Sequence, residues 1–282
     1  MRVITFRNAT EFLKTALPYL EAYEVLNGLM LGIAFRLSQS PPRRRTRPFL
    51  ALVEGDGKLV GAALMTPPRK MVLYSHLDDC QPVVEALGKA LVGTCWTVPA
   101  VLGPANVADS WAKMWERGNN RPPKPGMMQR VFELRQVQPL KLPSGKLRLA
   151  AADDFERTVA WIQGFHKDAN IQDDLEAVEL LARGKIQNGD LFLWENEAGE
   201  PVTMAAKARP TRHGITVTLV YTPAELRGRG YATACVATLS QQLLDEGYQF
   251  CTLFTDLSNP VSNHIYEKIG YTAVADFHEY FF

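Results

Sequence analysis

A chain of 282 residues exceeds what one hydrophobic core usually organises, so two domains are expected. Hydrophobic residues make up 46% and charged residues 22%, which excludes a chain disordered along its whole length. Lys and Arg number 31 against 30 Asp and Glu, and a formal charge of +1 excludes a global field drawing the protein to nucleic acid or a membrane.

The N-terminal residues interrupt every apolar stretch with charge and carry no export pattern. No window approaches the ~20 apolar residues that span a bilayer, so a cytoplasmic protein is expected. Phe12, Leu13, Leu17, Leu20, Tyr23 and Leu26 recur at helical spacing and predict a helix over 9–31, with Pro18 breaking or kinking it. Pro41 to Pro48 reads as a loop, followed by two apolar runs around Gly-Asp-Gly that predict a hairpin with strands at 49–54 and 58–66. A strand at 70–75, helices at 80–92 and 105–118, and a strand at 128–136 complete a mixed α/β unit.

The segment from Val137 to Lys146 has two prolines, a glycine and little periodicity. It is the expected linker, dividing an N-terminal domain, 1–136, from a second domain, 146–282. The second domain reads as a strand at 147–151, a helix from Asp153, a helix at 174–187, a hairpin around Asn196 to Pro201 and a strand at 214–222. A loop, a helix at 230–246, a strand at 249–255, a short helix at 260–269 and a last strand from 271 follow. This alternation predicts a mixed sheet with helices packed on its faces. Both halves set helices before a hairpin, so a duplicated fold is expected, although no residue-level repeat is convincing.

The most informative stretch runs from Thr216 to Gly247: a β-branched strand, a compact loop, then an amphipathic helix carrying Ala232, Cys235, Leu239 and Leu243. Gly228 and Gly230 remove side chains where the chain bends, leaving consecutive amides at the helix entrance. The positive end of the helix and the charges of Arg227 and Arg229 suit a pyrophosphate. A Walker loop would need Gly-Lys followed by Ser or Thr, and a dinucleotide fingerprint a third Gly or Ala at Thr233; neither is present.

Arg227-Gly-Arg-Gly230-Tyr231-Ala232 resembles the signature of the GNAT acyltransferase superfamily on its strand-to-helix junction. Leu257 to Tyr271 is similar to that family's segment in which an Asn precedes a short helix, a Tyr and a closing Gly-aromatic pair. Independently, Asn259 is a good N-cap, Pro260 a good first helical residue and Gly270 a good terminator. Asn259, Ser262, Asn263 and Tyr266 share a face beside the apolar stripe of Val261, Ile265 and Ile269 and can look into a cleft. The resemblance covers 146–282 and implies a GNAT-type fold, with a degenerate N-terminal copy that shapes the acceptor side.

It further implies acetyl-CoA as co-substrate, no metal, and a small-molecule or peptide primary amine as acceptor. Val220, Tyr221, Thr222, Arg227, Gly228, Arg229, Gly230, Tyr231, Ala232, Thr233, Asn259 and Ser262 would hold the cofactor, and Tyr266 would reprotonate the leaving thiolate. A homodimer is compatible with this reading. A CoA-binding sensor or partner-binding protein without transfer activity is the alternative, because His166, Lys167, Asp168, His213, Glu225 and the Phe282 carboxylate are all possible bases and none has a spacing argument. Nothing in Ser75-His-Leu-Asp-Asp-Cys-Gln-Pro82 resembles the phosphate loop, and its aspartates would repel a pyrophosphate. Arg43 to Arg47 reads as a solvated charge run rather than a nucleic-acid site. Cys80, Cys95, Cys235 and Cys251 form no metal spacing and are expected to be structural.

Overall fold

The computed structural model describes residues 1–39, 47–171 and 174–282, with side chains except those of 260–262. Most of the basic run, Arg43 to Thr46, lies outside the described residues. In chain order the first half contains β1 (Arg2–Thr5), α1 (Ala9–Glu21), α2 (Glu24–Gln39), β2 (Phe49–Gly55), β3 (Lys58–Met65) and β4 (Met71–Ser75). Then come α3 (Gln81–Leu91), β5 (Ala100–Pro104), α4 (Ala105–Asn119), the short β6 (Lys124–Pro125) and β7 (Gln129–Leu134). The second half contains β8 (Lys146–Leu149), α5 (Phe155–Asp168), α6 (Leu175–Gln187), β9 (Leu191–Glu195), β10 (Pro201–Ala208) and β11 (Gly214–Tyr221). It ends with α7 (Tyr231–Asp245), β12 (Phe250–Asp256), α8 (Pro260–Ile269) and β13 (Thr272–Phe281).

Two compact units result, but not the two expected from the linker. One is 1–131 together with 274–282; the other is 132–273. The first unit orders its strands β1-β2-β3-β4-β5-β13, and the second β8-β9-β10-β11-β12-β7. Each sheet is therefore closed by a strand encoded in the opposite half of the sequence. β13 pairs antiparallel with β5 from Phe277↔Pro104 to Phe281↔Ala100, and Phe277 is buried. Phe132 and Leu134 of β7 are buried in the core of the second unit. The 137–145 segment is part of that unit too: Val137, Leu140 and Leu142 pack on its core and Gln138 N donates to Ile269 O at 2.9 Å.

Local chemistry explains the elements of the first unit. Asn8 caps α1 by accepting from Glu11 N and donating to Glu11 Oε1, both at 2.9 Å. The predicted single helix is two, and Pro18 sits inside α1 while the chain breaks after Glu21. Asn27 supports the break, its amide donating to the carbonyls of Leu20 and Tyr23 at 3.2 and 3.1 Å. Between β2 and β3, Asp56 and Gly57 have φ of 50° and 73°, the left-handed pair of a two-residue hairpin turn. β5 was not anticipated, because five residues closed by Pro104 give no period to read, yet all five are buried. Cys80, Cys235 and Cys251 are buried, whereas Cys95 is exposed.

In the second unit Arg148 ties β8 to the chain entering α5 and to β9. Its guanidinium donates to Asp154 at 2.6 and 2.9 Å and to Glu195 at 2.5 Å. Those bonds hold both carboxyls below the usual carboxylate range. Both groups bind protons more weakly folded than unfolded, so their contribution is full above the unfolded carboxylate pKa of about 4 and is lost as pH falls through the depressed folded values. Arg148→Met is expected to lower stability by about 2–3 kcal/mol at pH 7, after allowance for the arginine's partial exposure. Urea midpoints should show this gap closing in acid; a gap independent of pH would contradict the ion-pair account.

Candidate functional site

β11 and β12 pair in parallel only from Gly214↔Phe250 to Thr216↔Thr252, although β11 continues to Tyr221 and β12 to Asp256. β11 is also irregular on its other edge. Two steps along β10, Met204 to Ala206, oppose three along β11, Tyr221 to Thr218, so β11 carries a bulge. Leu219 in the bulge has φ of 52°, a left-handed value that a branched side chain adopts only under constraint. The bulge leaves backbone groups near Leu219 and Val220 out of the ladder. No sequence signal marks Leu219.

Beyond β11, Tyr221 and Thr222 are more committed than expected. Thr203 on β10 donates its hydroxyl to Tyr221 O at 2.8 Å and pairs with the Thr222 hydroxyl at 2.8 Å, while Arg227 Nε donates to Thr222 O at 2.9 Å. A second lone pair on each carbonyl is all that remains for a ligand. A Cβ on Gly164 of α5 would collide with the Tyr221 ring and hydroxyl. Gly164 thus admits Tyr221; a glycine inside a helical pattern was the signal available for it.

The chain then makes one 3-10 turn, Ala224–Leu226, and enters α7 through exposed residues Arg227 to Gly230. Gly228 and Gly230 have φ of 77° and 81°, and Gly230 is the N-cap of α7. No side chain caps this helix, and the amides of Gly228, Arg229 and Gly230 donate to no acceptor among the described residues. A Cβ on Gly228 would meet nothing within 4 Å, and one on Gly230 would meet only Pro143, at 3.6 Å. Tyr231, Ala232 and Thr233 form the first turn, whose amides have no intrahelical acceptor. The result is a 15-residue helix with an open, positively polarised entrance. Arg227 pairs with Asp168 at 2.5 Å and lies over the Tyr221 ring at 5.7 Å. Arg229 Nη2 instead donates to Glu225 O at 3.2 Å.

α8 begins where expected: Asn263 N donates to Asn259 O at 3.4 Å, and Gly270, with φ of 111°, ends it. The shared polar face does not form as expected. Tyr266 is 8% exposed and packs in the core of the unit, with ring centroids 6.4 Å from Phe132 and 6.0 Å from Tyr271. Burial pushes its hydroxyl well above the ordinary tyrosine value. Asn263 is used by Thr255, which donates to its side-chain oxygen. The Ser262 side chain lies outside the described residues. Of the other candidates, His166 is buried in α5, Glu225 is exposed and Phe282 belongs to the first unit.

Residues 198–282, which include the loop, α7 and α8, match the family model described as FR47-like protein. An acetyltransferase from the GNAT family of Colwellia psychrerythraea aligns over 100% of both chains with TM-score 0.60 and 11% identity. A GCN5-related N-acetyltransferase from Sphaerobacter thermophilus aligns over 99% of this chain and 95% of its own, with TM-score 0.64 and 15% identity. A Drosophila protein aligns over 99% and 98%, with TM-score 0.69 and 12% identity. No curated protein matches. The chain has the GNAT fold.

The GNAT order of elements occurs in it twice. β1-α1-α2-β2-β3-β4-α3-β5-α4 parallels β8-α5-α6-β9-β10-β11-α7-β12-α8, and β4 pairs in parallel with β5 as β11 does with β12. The first copy has aspartates at the junction before its helix, where the second has Arg227 to Gly230; Asp79 Oδ1 accepts from the amide of Gln81, the first residue of α3, at 3.0 Å. Among the described residues no helix is long and apolar enough to cross a membrane.

Proposed function

We propose that the protein transfers an acyl group, acetyl in the family's usual form, from CoA to a primary amine by direct attack. The observation carrying this reading is the uncapped entrance of α7 at Arg227 to Gly230, directly after the bulged and splayed end of β11. The pyrophosphate of CoA is assigned to the amides of Gly228 to Thr233, with Arg229 beside them. Arg227 reaches it by leaving Asp168, an exposed pair of little net strength. The backbone from Val220 to Thr222 lies along the pantetheine, and an amide freed by the bulge stabilises the tetrahedral oxyanion. No metal enters the scheme, and the acceptor is a small molecule or peptide.

The neutral amine attacks the thioester carbonyl, the tetrahedral intermediate loses its ammonium proton to solvent and collapses with cleavage of the C–S bond, and the leaving thiolate takes a proton from the Tyr266 hydroxyl, which solvent restores. Because burial raises the tyrosine, it keeps its proton across the neutral range, and turnover should show no loss of this donor as pH rises from 7 towards its ordinary pKa of about 10. Tyr266→Phe is expected to lower kcat by about a hundredfold, the usual size of such a proton transfer, with acetyl-CoA affinity unchanged. An unchanged kcat with a good acceptor removes Tyr266 from the chemistry.

The burial of Tyr266 and the occupied carbonyls of Tyr221 and Thr222 favour a second reading, a CoA-binding sensor without transfer. Thiol release from acetyl-CoA, followed against a panel of primary amines, separates the two. Transfer well above hydrolysis excludes the sensor, and binding without transfer excludes the enzyme.

A further inference from the structure

The Arg227 guanidinium is itself a cation seated in a site that other residues make. Its Nη2 donates to Asp168 Oδ2 at 2.5 Å, and its central carbon lies over the Tyr221 ring, 5.7 Å from the centroid. A carboxylate beside an aromatic face holds positive charge through charge-assisted hydrogen bonds and the ring quadrupole. Both walls stand on regular elements, Tyr221 at the end of β11 and Asp168 at the end of α5. A Cβ on Gly164 would collide with the Tyr221 hydroxyl, so the ring lies against α5 at that glycine. Asp168 is one helical turn further along the same face. The Asp168 and Arg227 side chains are 51% and 48% exposed, so the pair is open to solvent.

The inference rests on the transfer reading above, in which Arg227 turns to the CoA pyrophosphate. Its Nε bond to Thr222 O at 2.9 Å holds the inner end of the guanidinium while the outer end leaves Asp168. An exposed ion pair is worth about 0.2–1 kcal/mol, a small obstacle to that exchange. Asp168 and the Tyr221 ring then keep the chemistry of a cation site and have lost their cation. The vacated site is close to the place of reaction. Tyr221 is two residues beyond Leu219, the bulged residue at which backbone groups leave the ladder. Two residues of strand span about 7 Å.

We propose that Asp168 and Tyr221 set the acceptor specificity: once CoA draws Arg227 away, they hold the second, cationic amino group of a linear alkyl diamine while its neutral amine reacts at the Leu219 bulge. The backbone between equivalent atoms two residues apart has six bonds, the number between the nitrogens of 1,5-diaminopentane. The Asp168 carboxylate accepts from the ammonium and the Tyr221 face takes its charge, as both do for Arg227. Nothing is transferred at Asp168, which positions the acceptor only. Because Arg227 and the ammonium compete for one carboxylate, acetyl-CoA and the diamine should each tighten the binding of the other.

The test follows thiol release from acetyl-CoA by the full chain with 1,5-diaminopentane and with n-pentylamine, which has the same reacting end and no second cation. The diamine is expected to have a kcat/KM about tenfold higher, with the difference in KM. Asp168→Asn should bring the ratio of the two values to about one, a readout that a general loss of folded protein does not move. Calorimetry should show acetyl-CoA binding to Asp168→Asn tightened by about two- to fivefold, because Arg227 no longer leaves a carboxylate. Equal kcat/KM for the two amines in the parent protein overturns the proposal and leaves the transfer reading standing. A diamine preference that survives Asp168→Asn overturns it as well. Thiol release with neither amine refutes the transfer reading, and the specificity site with it.

Discussion

Gly230→Val should weaken acetyl-CoA binding by about a hundredfold or more. Gly230 has φ of 81°, a conformation that costs a residue with a side chain roughly 1–2 kcal/mol and a β-branched one more. Relaxing that strain turns the loop and takes its amides off the helix entrance. Hydrogen bonds to a charged group are worth about 1.5–3 kcal/mol each, so two lost bonds account for the effect. The fold should be spared, because the loop is exposed and the nearest atom to the new Cβ is Pro143 at 3.6 Å. Calorimetric titration of acetyl-CoA into parent and variant, with circular dichroism as the check on folding, decides the matter. A folded Gly230→Val protein that binds within about twofold of the parent would show that the phosphates lie elsewhere. Substitutions between His76 and Asp79 are the natural control, since that junction has no such loop.

Separating the chain at the linker should destroy both units. The fragment 146–282 lacks β7, whose Phe132 and Leu134 are fully buried in the core of the second unit, and carries β13, which has its sheet partner, β5, in the first. Burying a Phe in a core is worth about 3–5 kcal/mol, and a whole domain is stable by only about 5–15 kcal/mol, so the loss of one core strand suffices. Deleting 274–282 from the full chain should act likewise on the first unit, removing buried Phe277 and half-buried Tyr280 and Phe282, the last packed on Trp115 at 4.5 Å. Urea unfolding followed by circular dichroism is the measurement. A cooperative transition in fragment 146–282 with native-like helix content would contradict the exchanged strands.

The glycine-bearing loop before α7 was legible because its determinants are local. Arg227-Gly-Arg-Gly230 needs only two glycines able to take positive φ and a helix directly behind them, and both conditions stand in consecutive residues. The hairpin at Asp56-Gly57 and the stop at Gly270 were legible for the same reason. The polar face of α8 was not, because helical spacing relates Asn259, Ser262, Asn263 and Tyr266 to one another and is silent on what packs against them. Phe132, remote in sequence, and Tyr271, beyond the end of the helix, pack on Tyr266, and Thr255 donates to Asn263. The bulge at Leu219 was hidden because a leucine at positive φ is imposed by pairing with β10, not by its own preference.

By itself, then, the sequence determined what neighbouring residues settle between them: most of the strands and helices in their order, the doubled pattern of helices before a hairpin, and a glycine-bearing helix entrance in the second half. The choice of sheet for each closing strand belongs to the tertiary structure. Nothing in the residues of β7 or β13 themselves ties either strand to one sheet, and the selection is made by cross-strand contacts and burial far along the chain, as between Phe277 and Pro104. The same holds for the Tyr19, Tyr23, Tyr74 and His76 rings, since 50 residues of chain separate the two pairs that the first sheet and its helices bring together.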